Sequence, residues 1–307
     1  MLGPYRIQPS TTASLRTAVT TERRRTRPRA QAPIPVPAVF ADEPYTPGFI
    51  GDDVADWQGD NMIRWMWAFL DRPADGFDDC VRFWATVTGS TVSAPRGAHD
   101  EFVTLLPATG PAWVKMQAVG DGGGIHLDLD VDDIPAAVAT ATGLGAHIVL
   151  VAPDYTVLES PAGQTFCFTP VKNDAPPPVT VSTAPDGTVT RLDQIGLDLA
   201  PADIATDTAF WRSLTGWTHQ PSRLPEFSRL RGDDEPLQLL LQRLDDPRPA
   251  AAHVDLASTD IAATATWHES LGADRVADGE RWIVMRDPGG ALYCVTGRDP
   301  YTGLLPS

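Results

Sequence analysis

Apolar and polar positions alternate through Gly124-Ile-His-Leu-Asp-Leu-Asp-Val-Asp-Asp-Ile134, with Leu127, Leu129 and Val131 on one side and His126, Asp128 and Asp130 on the other. A period of two marks a half-buried strand, so the apolar set should meet helices and His126 should point into a cleft. Phe77 to Thr88 repeats at helical spacing and ends at Gly89, which suits a left-handed C-cap. Read this way, residues 62–171 give strand Ile63 to Asp71, that helix, and strands Glu101 to Leu106 and Trp113 to Val119. Strand Ile125 to Val131, helix Ile134 to Thr142, and strands His147 to Val151, Thr156 to Glu159 and Gln164 to Val171 follow, with Pro161-Ala-Gly163 turning the chain before the last. The order then recurs: strand Leu192 to Leu199, helix Ile204 to Leu214 closed by Gly216, and strands Glu226 to Arg231 and Pro236 to Leu244. Last come strand His253 to Leu256, helix Ile261 to Leu271, strand Arg281 to Met285, the turn Asp287-Pro-Gly-Gly290 and strand Ala291 to Thr296.

The residues themselves repeat as well. His126 falls on His253, Asp128 on Asp255, Asp133 on Asp260 and Cys167 on Cys294, always 127 positions apart. Asp71 falls on Asp198, Phe83-Trp84 on Phe210-Trp211, Thr88-Gly89 on Thr215-Gly216 and Leu144-Gly145-Ala146 on Leu271-Gly272-Ala273 at the same shift, with no gap expected between them. The chain is a duplication of one domain. Its expected divisions are a tail at 1–61, a first domain at 62–172, a Pro-rich linker at 173–189 whose Val-Thr-Val piece can pair as an edge strand, a second domain at 190–299 and a tail at 300–307. The first 61 residues hold Arg23, Arg24, Arg25, Arg27 and Arg29 among Thr and Pro, then the acidic stretch Asp52 to Asp60, without hydrophobic periodicity. That composition reads as disordered, and two other readings stay open: a transit peptide, or a true start at Met62.

Composition narrows the partners. Against 24 basic residues stand 40 acidic ones, for a net charge of −16 over 307 residues, which argues against nucleic acid and anionic membranes as partners. Cys80, Cys167 and Cys294 are odd in number and contain no CxxC pair, so neither a disulfide framework nor a structural zinc site is expected and a reducing cytoplasm is the default. No run approaches the roughly 18 apolar residues of a membrane span. A monomer or homodimer acting on a small molecule is the expectation.

A β-α-β-β-β unit used four times, with a strand-initial His and an Asp-Pro-x-Gly hairpin before the last strand, resembles the vicinal oxygen chelate superfamily of glyoxalases, extradiol dioxygenases and bleomycin-resistance proteins, and most of all its tandem glyoxalase-like members. The resemblance covers residues 62–298. It implies an α+β fold in which four modules form two half-open mixed-sheet barrels, each with a ligand on its concave face. Where the family holds a metal, the ligands come from the first strand of each module and from the last strand. Those positions here are Trp67, His126 and Cys167 in the first copy, and Gln194, His253 and Cys294 in the second. Trp cannot ligate and no Glu stands on the last strand, so no metal is expected; a soft zinc, or iron or manganese, at His126, Cys167, His253 and Cys294 is the fallback.

Each candidate has a bland reading beside the sharp one. The histidines serve a cleft or merely bond backbone; the cysteines fill buried strand positions or act as thiolates beside their histidines. Asp128, Asp130, Asp132 and Asp133 form a charge run of the kind that usually belongs to a solvated face, while Asp133 and Asp260 immediately precede helices and serve as N-caps. Trp84 and Trp211 pack on a sheet. Trp65, Trp67 and Trp113 share a face, and either line an aromatic pocket or are covered by the other copy. The leading expectation is metal-independent binding of a small aromatic or planar organic molecule, stacked on Trp65, Trp67 and Trp113 and oriented by Lys115, Gln117 and His126, with Asp128, Cys167, Gln242 and Asp255 lining the two cups. The alternative is a lyase, isomerase or dioxygenase using Gln194, Gln242, His253 and Cys294 around a metal or water. A third possibility makes one copy a structural partner.

Overall fold

A computed structural model describes residues 62–120, 123–171, 180–232 and 235–305. The expected tail at 1–61 and residues 173–179 of the Pro-rich linker lie outside the described residues. In the first copy β1 (Ile63–Pro73) leads to α1 (Phe77–Val87), β2 (Thr91–Val92), β3 (Phe102–Leu106) and β4 (Val114–Val119). Then come β5 (Gly124–Val131), α2 (Ile134–Gly143), β6 (His147–Val151), β7 (Thr156–Glu159) and β8 (Thr165–Pro170). The second copy begins with β9 (Ser182–Thr183), β10 (Val189–Leu199), α3 (Ile204–Thr215), β11 (Thr218–Pro221), β12 (Phe227–Arg231) and β13 (Gln238–Arg243). It ends with β14 (Ala251–Ser258), α4 (Ile261–Ser270), β15 (Asp274–Asp278), β16 (Trp282–Arg286) and β17 (Leu292–Thr296).

Each copy is one mixed, open sheet, in the order β2-β3-β4-β1-β5-β8-β7-β6 and β11-β12-β13-β10-β14-β17-β16-β15, with β9 pairing β10 off that path. The first strands of the two modules, β1 and β5 or β10 and β14, lie antiparallel at the centre, and each is parallel to the last strand of its own module. The fold is therefore α+β, with two half-open sheets and four helices. Sequence reading missed β2, β11 and β15. The first two are too short to show a period, and β15 reads Asp-Arg-Val-Ala-Asp because an edge strand solvated on both faces has no apolar set to alternate.

Alternation works as expected on the helix side. Leu127 and Leu129 of β5 and Met66, Ala68 and Leu70 of β1 are all fully buried. Asp133 accepts from the Ala136 N–H, and Asp260 from those of Ala262 and Ala263, so both are N-caps. The duplication is not uniform, however. Gln117 lies beside Asp71 and Gln242 beside Asp198 in parallel pairs, so across β3–β4 and β12–β13 equivalent residues are 125 apart. A two-residue deletion in the second copy, compensated before β14, corrects the gapless alignment: Lys115 answers to Leu240 and Trp113 to Gln238.

Helices α1 and α3 are exchanged between copies. Trp84 of α1 packs on Tyr293 of β17, its ring 5.2 Å away, and donates to Asp287 of the second copy at 2.9 Å. Trp211 of α3 packs on Phe166 of β8 at 5.3 Å and donates to Asp207 at 3.0 Å, while the other Asp207 oxygen caps the Ala162 N–H of the first copy. The indole donor is satisfied at both junctions, from opposite sides: the carboxylate stands on the hairpin at one and on the helix at the other, with Cys80 and Ser160 at the swapped positions. Both copies consequently form one compact unit. No helix among the described residues is long and apolar enough to cross a membrane.

Candidate functional site

The ladder fixes what faces what. On the side away from the helices Trp67, Asp128 and Cys167 form one row across β1, β5 and β8, and Gln194, Asp255 and Cys294 form the equivalent row across β10, β14 and β17. The histidines sit one step along, His126 opposite Phe69 and His253 opposite Gly196. Antiparallel pairing thus sets Asp128, not His126, beside Trp67, which corrects the simple overlay of the two first strands.

In the first cup the His126 ring stacks on Phe69 with centroids 4.5 Å apart. Its Nδ1 is 2.7 Å from Asp71 Oδ2, and its Nε2 faces Asp128 Oδ1 at 3.7 Å. Lys115 Nζ donates to the other Asp128 oxygen at 2.9 Å and lies over the Trp67 ring, 4.1 Å from its centroid. Burial, the largest influence on His126, favours the neutral ring, but the hydrogen bond and charge of Asp71 and the charge of Asp128 together outweigh it and hold the pKa above the ordinary value. Acidic and basic groups alternate here: Asp71, His126, Asp128 and Lys115.

The second cup builds the same alternation from different residues. His253 Nδ1 and Nε2 are each 3.4 Å from a carboxylate, of Asp198 and Asp255 respectively. Arg248 reaches Asp198 at 3.1 Å. Arg298, from beyond β17, approaches Asp255 at 3.6 Å and donates to Gln194 Oε1 and Asp193 Oδ1 at 2.5 Å each. Burial again favours neutral His253, yet Asp198 and Asp255 raise its pKa well above the ordinary range, while His253 and Arg298 hold Asp255 below the usual carboxylate value against its own burial. Gly196 is required beneath the ring, since a Cβ there would lie 2.4 Å from His253 Cε1.

Both cysteines stay protonated. Burial and then Asp128 raise the Cys167 pKa, and burial and then Asp255 push Cys294 up to about 11. Lys115 beside one and His253 beside the other act in the opposite direction without outweighing burial and the carboxylate, so neither is an activated thiolate. Potential metal donors do come together, as His126, Asp128 and Cys167 and as His253, Asp255 and Cys294, each set within 4.8 Å. They fit an ion poorly, because each imidazole lies between two carboxylates that favour its protonated form, Lys115 or Arg298 already pairs with each aspartate, and Arg298 takes the Gln194 oxygen. Trp67 has no lone pair to offer.

The other expected residues divide. Trp65 is buried, donates to the Ala112 carbonyl and meets Trp67 edge to face; Trp113 donates across the junction to the Leu192 carbonyl. All three tryptophans are at most 7 % exposed, so they are packed rather than arrayed around open space. Gln117 and Gln242 border Asp71 and Asp198 at the half-buried rims. The acidic run splits: Asp128 and Asp130 are buried, Asp130 accepting from Thr169, whereas Asp132 pairs with Arg64 at the surface. Sequence reading overlooked Asp71, Asp198, Phe69, Gly196, Arg248 and Arg298 as site residues. Recurrence of the aspartates was the available signal; Arg298 has Val171 as its counterpart and gave none.

The model of the glyoxalase-like domain matches residues 67–169 and again 194–296. No curated protein sequence matches the chain. Among solved structures, the Mn(II)-bound glyoxalase from Novosphingobium aromaticivorans is similar at TM-score 0.52 and 18% identity, over 77% of this chain and 82% of that one. The 2,3-dioxygenase LapB from Pseudomonas sp. KL28 gives 0.55 and 12%, over 77% and 92%, and an extradiol ring-cleaving dioxygenase from B. fuscum gives 0.55 and 15%, over 79% and 74%. At these identities the structures establish a shared fold. Four modules in the superfamily's order, and a family model matched twice at the same spacing as the repeat, make this chain a member of the glyoxalase-like domain family of the vicinal oxygen chelate fold, with two domains in tandem.

Proposed function

We propose that this protein binds a small, uncharged planar organic molecule in its first cup without a metal, the charge of a divalent ion being supplied by an imidazolium and a second protein cation. One observation carries the reading: the first cup contains its own neutralised string of alternating charges. Asp71, His126, Asp128 and Lys115 balance two against two, whereas in the second cup Asp193, Asp198 and Asp255 meet His253, Arg248 and Arg298 with Arg191, Arg229 and Arg231 also near Asp193 and Arg298. A balanced buried string has no charge left for an ionic ligand to neutralise, and breaking it would strand a desolvated charge. The first cup is the more open, with the His126 and Asp71 side chains 14 and 19% exposed against 10 and 9% for His253 and Asp198. A ligand entering there meets the Phe69 and Phe102 rings, with Gln117 at the rim to offer it a hydrogen bond. The second cup is the structural partner in this reading, and the cytoplasm remains the proposed location.

The test is metal analysis of protein purified without chelator, followed by tryptophan-fluorescence titration with neutral and anionic aromatic compounds. Sub-stoichiometric metal, quenching by neutral compounds, and at least about tenfold weaker binding by His126→Gln are expected; stoichiometric manganese, iron or zinc would overturn the reading. The second reading, a metal-dependent lyase, isomerase or dioxygenase, is favoured by the clustered donors. It requires an ion to displace Lys115 or Arg298, and so predicts that wild type takes up metal and that Lys115→Met takes it up more tightly.

A further inference from the structure

Strand β6 carries the longest run of exposed large apolar side chains among the described residues: Ile148, Val149, Leu150 and Val151 are 49, 57, 41 and 68% exposed. It is also the outer strand of its sheet, with one side unpaired among the described residues. The strand in the same place in the second copy shows that the fold does not demand this. There Asp274, Arg275, Val276, Ala277 and Asp278 stand where β6 has His147, Ile148, Val149, Leu150 and Val151, and Arg275 pairs with Asp278 at 2.7 Å. Both strands share the register irregularity at their third residue. One edge is guarded by charge and its duplicate is stripped of it.

We infer that β6 is the surface through which two copies of this chain associate, edge to edge and antiparallel about a two-fold axis. An open edge is complementary to another open edge, and a strand that meets its own copy across a two-fold closes the assembly at a dimer. Charge points to the same occupant. In a chain of net charge −16, two copies repel least where the surface carries no carboxylate, and Ile148 to Val151 carries none. An antiparallel two-fold contact also brings the exposed His147 at the start of one strand toward the exposed Asp154 just beyond the end of the other. The irregularity at Val149 interrupts a backbone ladder, so the apolar side chains carry the contact. The strand is short beside the roughly 800 Å² per partner of a standard interface, which makes the dimer weak and concentration-dependent.

Sedimentation velocity of the full chain over a concentration series tests this. Wild type should shift reversibly from one to two chain masses. The double variant Ile148→Arg, Val151→Asp, which installs the second copy's ion pair, should dimerise at least about tenfold more weakly while melting as wild type does when dilute. Val149→Glu provides the same test should the double variant misfold. A wild type that stays monomeric throughout, or a folded variant that associates undiminished, overturns the inference. So does association that disappears on removing residues 1–61 with β6 intact, which would assign the contact to that segment.

Discussion

Gly196 and Phe69 occupy one position in the two copies and impose opposite fates on the histidine above them. Phe69 supports the His126 ring from below, whereas His253 sinks into the space a side chain would fill. Gly196→Ala should therefore displace His253 from both aspartates and destabilise the protein by about 1–3 kcal/mol in urea melts. The histidines also set a pH optimum. His126 and His253 have folded pKa values raised above the ordinary 6.5, so their stabilisation is complete below that value and is lost as pH rises through the folded values. His268, which burial pulls down to about 4, works in reverse: between 6.5 and 4 the unfolded chain takes up a proton that the folded one refuses, and stability falls. Denaturation monitored from acid to alkaline pH should show a maximum near 6.5, with the alkaline limb flattened in His253→Gln; an unchanged alkaline limb would remove the imidazolium from the account.

Among the elements, the exchanged helices show how a duplicated contact diverges. The Trp84 junction has a buried cation, Arg72, whose Nε is 2.6 Å from Asp287; at the other junction Leu199 stands in its place. Asp207 consequently has no cation beside it among the described residues, and burial raises its pKa. Asp287→Asn should strand Arg72 and cost about 3–5 kcal/mol, whereas Asp207→Asn, which loses one of the two acceptors serving Trp211 and Ala162 but strands no charge, should cost about 1–2 kcal/mol. Equal losses in chemical denaturation would count against this asymmetry. Long elements with a buried face, such as β1, β5, β10 and the helices, were legible to within a few residues because burial imposes a period. The edge strands β2, β11 and β15 were not, since water accepts almost any side chain there.

For the molecule as a whole, the exchange means neither half closes its own core. Separated from α1, β17 would expose Tyr293; separated from α3, β8 would expose Phe166, and both rings are fully buried here. Each half expressed alone should show poorly dispersed NMR spectra and bind hydrophobic dye, while halves divided between 172 and 179 and co-expressed should co-elute as a folded pair. Independently folded halves would refute the exchange.

By itself the sequence determined that a module was doubled, which faces of its strands are apolar, and that His126, Asp128, Cys167 and their counterparts recur, because periodicity and repetition are local or self-comparing properties. Only the tertiary structure decided that the helices cross between copies and that Asp128 rather than His126 stands beside Trp67. It also revealed Lys115 and Arg298, from non-equivalent positions, filling the same electrostatic role. That role depends on a few ångströms between groups far apart in the chain: a buried carboxylate selects any cation within reach, whatever its place in the sequence.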